Sequence, residues 1–228
     1  MTPIDLNSPQ GITLRQEILT FDSCLVSDAL ERLGLPPGVT GINRQATARR
    51  IFGPVVTVRL ERFDGTIASR HLGTTAIDAA KPGDVIVVEH RARDDCAGWG
   101  GLLSTAAKAR GIGGVVVDGL VRDVDESEDL GMPVFARGVT PVTARNRLSE
   151  AATNEPVQIG GVTVAPGDYV LADGSGAAFV PRDRLAEVVE TARAMLAAEN
   201  GIRAALANGI AISRAMNHSY ETLLAPQD

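Results

Sequence analysis

Aromatic side chains are scarce in this sequence, at 4% of 228 residues. A core must therefore come from Val, Ile, Leu and Ala. Lysine is scarcer still, with Lys81 and Lys108 the only two. An imine mechanism needs a lysine desolvated in an apolar pocket. Lys81 falls in a turn and Lys108 on an amphipathic helix, so Schiff-base chemistry is disfavoured. Cysteine is limited to Cys24 and Cys96, without metal-ligand spacing. The pair reads as reduced, buried thiols of a cytosolic protein. The histidines, His71, His90 and His218, also lack ligand spacing and read as surface or satisfied polar groups. No apolar run approaches the ~20 residues of a membrane span. Met1 to Gln10 has no apolar core of a secretory signal. These absences point to a cytoplasmic protein with no membrane contact.

Positive charge is in short supply as well, and the net charge is −6. Such a chain is a poor match for a phosphate backbone, so no nucleic-acid partner is expected. A local basic patch could still hold a small anionic substrate.

What is plentiful is glycine, with 24 residues, and hydrophobic residues at 44%. Residues 1–12 read as a loose arm. A helix with Ser23 as N-cap runs through Leu25 to Arg32 and stops at Gly34. Leu35 to Arg50 read as turns. Val55 to Leu60 is a β-branched strand. A short helical stretch falls at Ala76 to Ala80. The turn Lys81-Pro82-Gly83-Asp84 opens a buried strand, Val85 to Glu89. Gly98-Trp99-Gly100-Gly101 feeds a helix over Leu102 to Arg110. Gly111 to Gly114 then turn the chain into Val115-Val116-Val117-Asp118, a buried strand. This is a βαβ unit. Pro133 to Ala136, Val157 to Val164 and Tyr169 to Asp173 are further strands. A helix from about Asp183 to Ala207 begins a C-terminal segment, 183–228. The whole reads as one mixed α/β domain over 1–228.

Two segments carry chemistry. Asp118-Gly119-Leu120-Val121-Arg122-Asp123 puts a carboxylate at a strand end, where α/β sheets bind ligands. Gly119 allows a sharp turn. Arg122 can fork onto a carboxylate or carbonyl oxygen, and Asp123 offers a hard oxygen to Mg²⁺ or Mn²⁺. The same residues also read as a turn with a local Arg–Asp ion pair. Gly98 to Ser104 exposes backbone N–H groups at a helix start, which favours an anion. It is neither a Walker loop nor a dinucleotide fingerprint. A third candidate is Glu199, which continues the apolar stripe Leu185, Val188, Val189, Ala192, Met195, Leu196. A charge there needs a partner, a site or another subunit unless the helix has left the core.

Gly100 to Gly111, Gly114 to Asp123 and Pro166 to Gly176 together resemble the RraA-like family, over about Ser23 to Pro181. That family includes 4-hydroxy-4-methyl-2-oxoglutarate aldolases with oxaloacetate decarboxylase activity, and a regulator that inhibits ribonuclease E. The resemblance implies a three-layer β/β/α swivelling-domain fold with terminal helices. It implies homotrimers or homohexamers with sites between subunits. In its light Arg122 binds the pyruvyl oxygens of a small 2-oxo acid, and Asp123 holds Mg²⁺ or Mn²⁺, partly through waters. Backbone amides of Gly100, Gly101, Leu102 and Leu103 hold the substrate carboxylate. Glu199 of a neighbouring subunit completes the metal shell. A mechanism built on these residues needs a base for the substrate hydroxyl, either a metal-linked water or an acid group such as Asp118 acting through a water. The regulator branch tends to lose both acidic positions kept here at Asp118 and Asp123, which favours a metal-dependent lyase. The alternatives are a lyase for a sugar-derived keto acid and a non-catalytic regulator.

Overall fold

A computed structural model describes residues 8–65, 70–91 and 93–216. In chain order the elements are α1 (Pro9–Ile18), α2 (Ser23–Arg32), β1 (Asn43–Ala46), β2 (Ile51–Arg62), α3 (Thr74–Ala79), β3 (Val85–Glu89), α4 (Gly101–Ala109), β4 (Gly114–Val121), α5 (Val124–Asp129), β5 (Val134–Val139), β6 (Leu148–Thr153), β7 (Val157–Ile159), β8 (Val162–Val164), β9 (Tyr169–Ala172), β10 (Ala177–Val180), α6 (Leu185–Ala207) and α7 (Ile212–Ala215).

The expected βαβ unit is present. β2, β3, β4 and β5 pair in parallel, with Val55 to Arg59 beside Val85 to Glu89 and Val85 to Val88 beside Gly114 to Val117. Successive valines point to opposite faces, as strand geometry demands. Val115 and Val117 enter a core with Ala76, Ile77, Leu103 and Ala107 of α3 and α4. Val116 and Phe135 enter a second core with Val170, Ala172, Ala177 and Phe179 of β9 and β10. This second core is the sheet-on-sheet layer. The outer face of β9 and β10, through Leu171, Ala178 and Val180, is covered by apolar residues of α1, α2 and α6. The result is the expected β/β/α arrangement with terminal helices added.

β2 joins the two sheet layers. Its first residues, Ile51 to Pro54, pair antiparallel with β9, and its later residues pair with β3 and β6. Sequence reading placed only its β-branched centre, Val55 to Leu60, in the strand, which in fact runs from Ile51 to Arg62. Gly53 is needed for space: a Cβ there would run into the Gly83 carbonyl.

Several boundaries differ from expectation. Residues 9–12 are not a loose arm but the opening of α1, where Ser8 Oγ accepts from Gly11 N–H at 3.0 Å. Residues 1–7 and the tail beyond 216 lie outside the described residues. The cap of α2 is Asp22, whose carboxylate accepts from Leu25 N–H at 2.8 Å, and Ser23 is the first helical residue. Ser23 instead donates Oγ–H to Asp173 at 2.7 Å. Within the expected irregular stretch 35–50, Asn43–Ala46 forms an edge strand against β5.

The most consequential difference is in β4. The strand does not end at Asp118. Its pairing with β5 is irregular between Val117 and Leu120, then resumes to Val121. Gly119 has no positive φ; its missing side chain makes room for the buried His90 ring, which a Cβ would overlap at Nδ1. Gly101 similarly accommodates the Glu126 carboxylate, but Glu126 is exposed and free to swing. Gly119→Ala is therefore expected to cost about 3 kcal/mol or more, as overpacking a fixed core does. Gly101→Ala is expected to cost under about 1 kcal/mol, the range of surface substitutions. Urea unfolding of both variants measures the contrast, and equal losses would contradict it.

Candidate active site

The carboxyl ends of β3, β4 and β5 open on a cavity of about 380 Å³. Its lining includes His71, Trp99, Gly100, Gly101, Leu102, Leu103, Arg122, Asp123, Thr143 and Arg145. The two segments singled out in the sequence thus meet, because α4 runs back along the sheet before β4 returns. The loop before α4 is laid beside the resumed part of β4. Ala97 bridges Leu120 in parallel, Gly98 N–H donates to Leu120 C=O at 2.8 Å, and Arg122 N–H donates to Trp99 C=O at 3.0 Å.

Asp123 is held in the left-handed region at φ 57°, as the residue before α5. Asp and Asn tolerate that conformation better than most side chains. Its Oδ2 accepts from Gly101 N–H at 3.0 Å, and Arg122 Nε lies 3.2 Å from both carboxylate oxygens. Beneath it, Trp99 Nε1–H donates to Ser104 Oγ at 3.0 Å, Ser104 and Ser127 hydroxyls bond at 2.9 Å, and Ser127 Oγ–H donates to Asp123 C=O at 3.2 Å. This buried chain ties α4, α5 and the loop together.

The start of α4 lines the cavity. Ser104 N–H returns to Gly100 C=O at 3.0 Å, whereas the N–H groups of Leu102 and Leu103 precede the first helical acceptor and have no intrahelical carbonyl to reach. They turn the positive end of the helix toward the cavity, where it favours negative charge. Gly101 N–H is partly committed to Asp123, which the sequence did not reveal.

Asp118 and Glu199 lie elsewhere. Asp118 is buried, accepting from the Arg137 guanidinium and from Gly160 N–H at 2.9 Å. It does not line the cavity. Asp118 links β4 to β5 and to the turn between β7 and β8, rather than facing substrate. Its apparent place at a strand end came from missing the β4 irregularity. Glu199 sits on α6, which packs on α2, and its carboxylate takes Arg203 Nη2 at 2.6 Å. No cavity-lining residue comes from α6, so one chain alone does not bring Glu199 to Asp123.

Among the described residues, no cluster of three or more His, Cys, Asp or Glu side chains is poised for a metal. Asp123 is the one carboxylate among the described lining residues, and it offers a hard oxygen. That fits a cation of the Mg²⁺ type, which keeps several waters and binds through one or two carboxylates. It does not fit a metal requiring thiolates or several imidazoles.

A family profile described as "RraA-like: Aldolase/RraA" matches residues 23–179. The chain belongs to the RraA-like family. A protein of Halalkalibacterium halodurans, provisionally named 4-hydroxy-4-methyl-2-oxoglutarate aldolase, is 31% identical over 86% of this chain and 90% of its own length. Protein DlpA of Legionella pneumophila is 34% identical over 91% of this chain; the chain spans about a third of that protein, 34% of its length. The crystal structure of Streptomyces coelicolor RraAS2, titled an unusual member of the RNase ES inhibitor RraA protein family, superposes with a TM-score of 0.77. It is 28% identical and covers 84% of this chain and 96% of its own.

This RraA-like chain also holds groups that sequence reading missed or misjudged. Glu126 lies against Gly101, one turn beyond Asp123; the Asp-x-x-Glu spacing was the available signal. His71 and Arg145 complete the cavity wall from loops with no motif. His218 lies outside the described residues, and of the two cysteines expected to be buried Cys96 is buried but Cys24 is exposed. His90 is not a satisfied polar group: it is 1% exposed, and neither ring nitrogen has a hydrogen-bond partner. Burial, reinforced by Arg93 and opposed by Asp95 and Asp118, lowers its pKa to about 4. The imidazole is neutral in the folded protein and takes up a proton more readily when unfolded. Below the unfolded value near 6.5, stability is therefore lost as pH falls toward 4, by on the order of 3 kcal/mol at most. Unfolding midpoints measured between pH 7 and 4 should show a steeper decline for the wild type than for His90→Asn. Parallel declines would exclude His90 as the source.

Proposed function

We propose that this chain is a divalent-metal-dependent lyase cleaving 4-hydroxy-4-methyl-2-oxoglutarate-like 2-oxo acids to pyruvate, with oxaloacetate decarboxylase activity. The observation that carries this reading is the convergence of Arg122, Asp123 and the start of α4 on one cavity. A second guanidinium, Arg145, lines the same cavity, which suits a substrate with a second carboxylate. The H. halodurans relative supports the same reaction class.

In this reading the substrate carboxylate lies at the N–H groups of Leu102 and Leu103. Arg122 binds the 2-oxo oxygen. When C3–C4 breaks, the electron pair stays on C3 and delocalises onto that oxygen. Arg122 then supplies fixed positive charge where negative charge develops. The 4-hydroxyl loses its proton as the departing half becomes a carbonyl. His71 is a lining group able to accept that proton. In oxaloacetate the departing half is CO₂ and no hydroxyl proton moves. Protonation of C3 releases pyruvate in both cases. Asp123 would hold Mg²⁺ or Mn²⁺, which when bound supplies Lewis acidity toward the substrate's oxygens. Assembly into homotrimers or homohexamers is part of this reading. There Glu199 of a neighbouring copy would add a second carboxylate.

Pyruvate release from oxaloacetate and from 4-hydroxy-4-methyl-2-oxoglutarate, with Mg²⁺, with Mn²⁺ and with EDTA, tests the reading. Arg122→Ala is expected to lower turnover by about 10²-fold or more. Asp123→Asn keeps the left-handed backbone accessible and should abolish the metal response. Unchanged turnover in Arg122→Ala would overturn the assignment. Absence of pyruvate from both substrates would favour a sugar-derived keto acid or the regulator reading.

A further inference from the structure

A second cavity of about 420 Å³ lies at the opposite end of the parallel sheet. Its walls are α1, the segment before β2, and the turns leading into β3, β4 and β5. Among its lining residues are Arg15, Arg49, Arg50 and Lys108, and none is Asp or Glu. Four cations around one cavity stand out in a chain of net charge −6.

These cations are incompletely paired. Neither Arg49 nor Arg15 has a side-chain hydrogen bond or ion pair among the described residues. Burial lowers the Arg15 pKa; Asp84 nearby opposes this and Arg49 adds to it. Two guanidiniums are thus close enough to repel, one of them half-buried. Arg50 Nη1–H donates to Leu19 C=O at 2.9 Å and its Nε lies 3.5 Å from Asp173, yet that Nε is buried without a hydrogen-bond partner. Lys108 Nζ donates to Gly131 C=O at 2.8 Å, leaving two of its three protons. Gly83, at φ 89°, has no side chain in the space beside the Arg15 guanidinium. Repulsion among like charges held this way is relieved by a bound anion. Leu19 and Pro82 add apolar edges to the lining. The volume falls in the range of small-molecule sites, roughly 300–1,000 Å³.

We propose that this cavity binds a small phosphate-bearing anion. Forked guanidiniums match phosphate oxygens, and several fixed cations favour a multiply charged ligand over a single carboxylate. The site is separate from the Arg122 cavity and does not depend on the reading of that cavity.

The test is isothermal titration calorimetry with pyrophosphate at fixed ionic strength, with citrate and chloride as comparison anions. Wild type is expected to bind pyrophosphate with a Kd below about 1 mM, more tightly than citrate. Arg49→Glu, which breaks no side-chain bond among the described residues, should weaken binding at least tenfold while the circular dichroism spectrum is unchanged. Arg15→Gln should weaken it similarly. Arg122→Ala should bind as wild type does. No pyrophosphate binding, undiminished binding in Arg49→Glu, or loss in Arg122→Ala would overturn the proposal. Tighter binding of citrate would overturn the phosphate assignment.

Discussion

The candidate site depends on three residues of backbone lying beside the far end of β4. Where β4 loses register with β5, the loop carrying Ala97, Gly98 and Trp99 comes alongside and supplies its peptide groups. Unpaired backbone groups in a buried region cost free energy, so the loop and the strand end stabilise each other. This pairing fixes the distance between Trp99 and Arg122, and so between the start of α4 and the Arg-Asp pair. Gly119 and Gly98 are the condition for it, since both leave space for the His90 ring.

Local electrostatics then sets what the cavity can hold. Arg122 and Asp123 form an ion pair with each side chain about one-third exposed. A pair of that kind contributes little to stability, which leaves both groups free to exchange partners with an incoming ligand. The Trp99–Ser104–Ser127 chain, by contrast, is fully buried and satisfied. The cavity therefore combines a rigid floor with polar groups that are not tightly committed.

Much of this was legible in the sequence, for identifiable reasons. The valine run 115–117 could only be a buried strand, and the Pro-Gly-Asp turns marked where β3 and β9 begin. The resemblance to the RraA-like family pointed to the layered fold, and the family match bears that out. Arg122, Asp123 and Gly100 to Leu103 do converge. Asp118 was misplaced because a one-strand irregularity has no pattern in residue type. The Asp118–Arg137 and Asp173–Ser23 bonds join residues far apart in the chain, which no local spacing encodes. His90 was misjudged because its burial is created by two glycines on other segments. Glu199 keeps its position on the stripe of α6, with Arg203 one turn on as the partner of its carboxylate.

β2 belongs to both sheet layers, and this has a consequence for how the chain acquires its structure. Its first four residues wait for β9, which is made much later, while its centre can pair with β3 almost at once. Loop closure over so long a stretch carries an entropic cost before any contact repays it. The pairing of Ile51 with Ala172 spans a longer stretch of chain than any other strand pairing among the described residues, so the joint between the two layers carries the largest closure cost in the sheet.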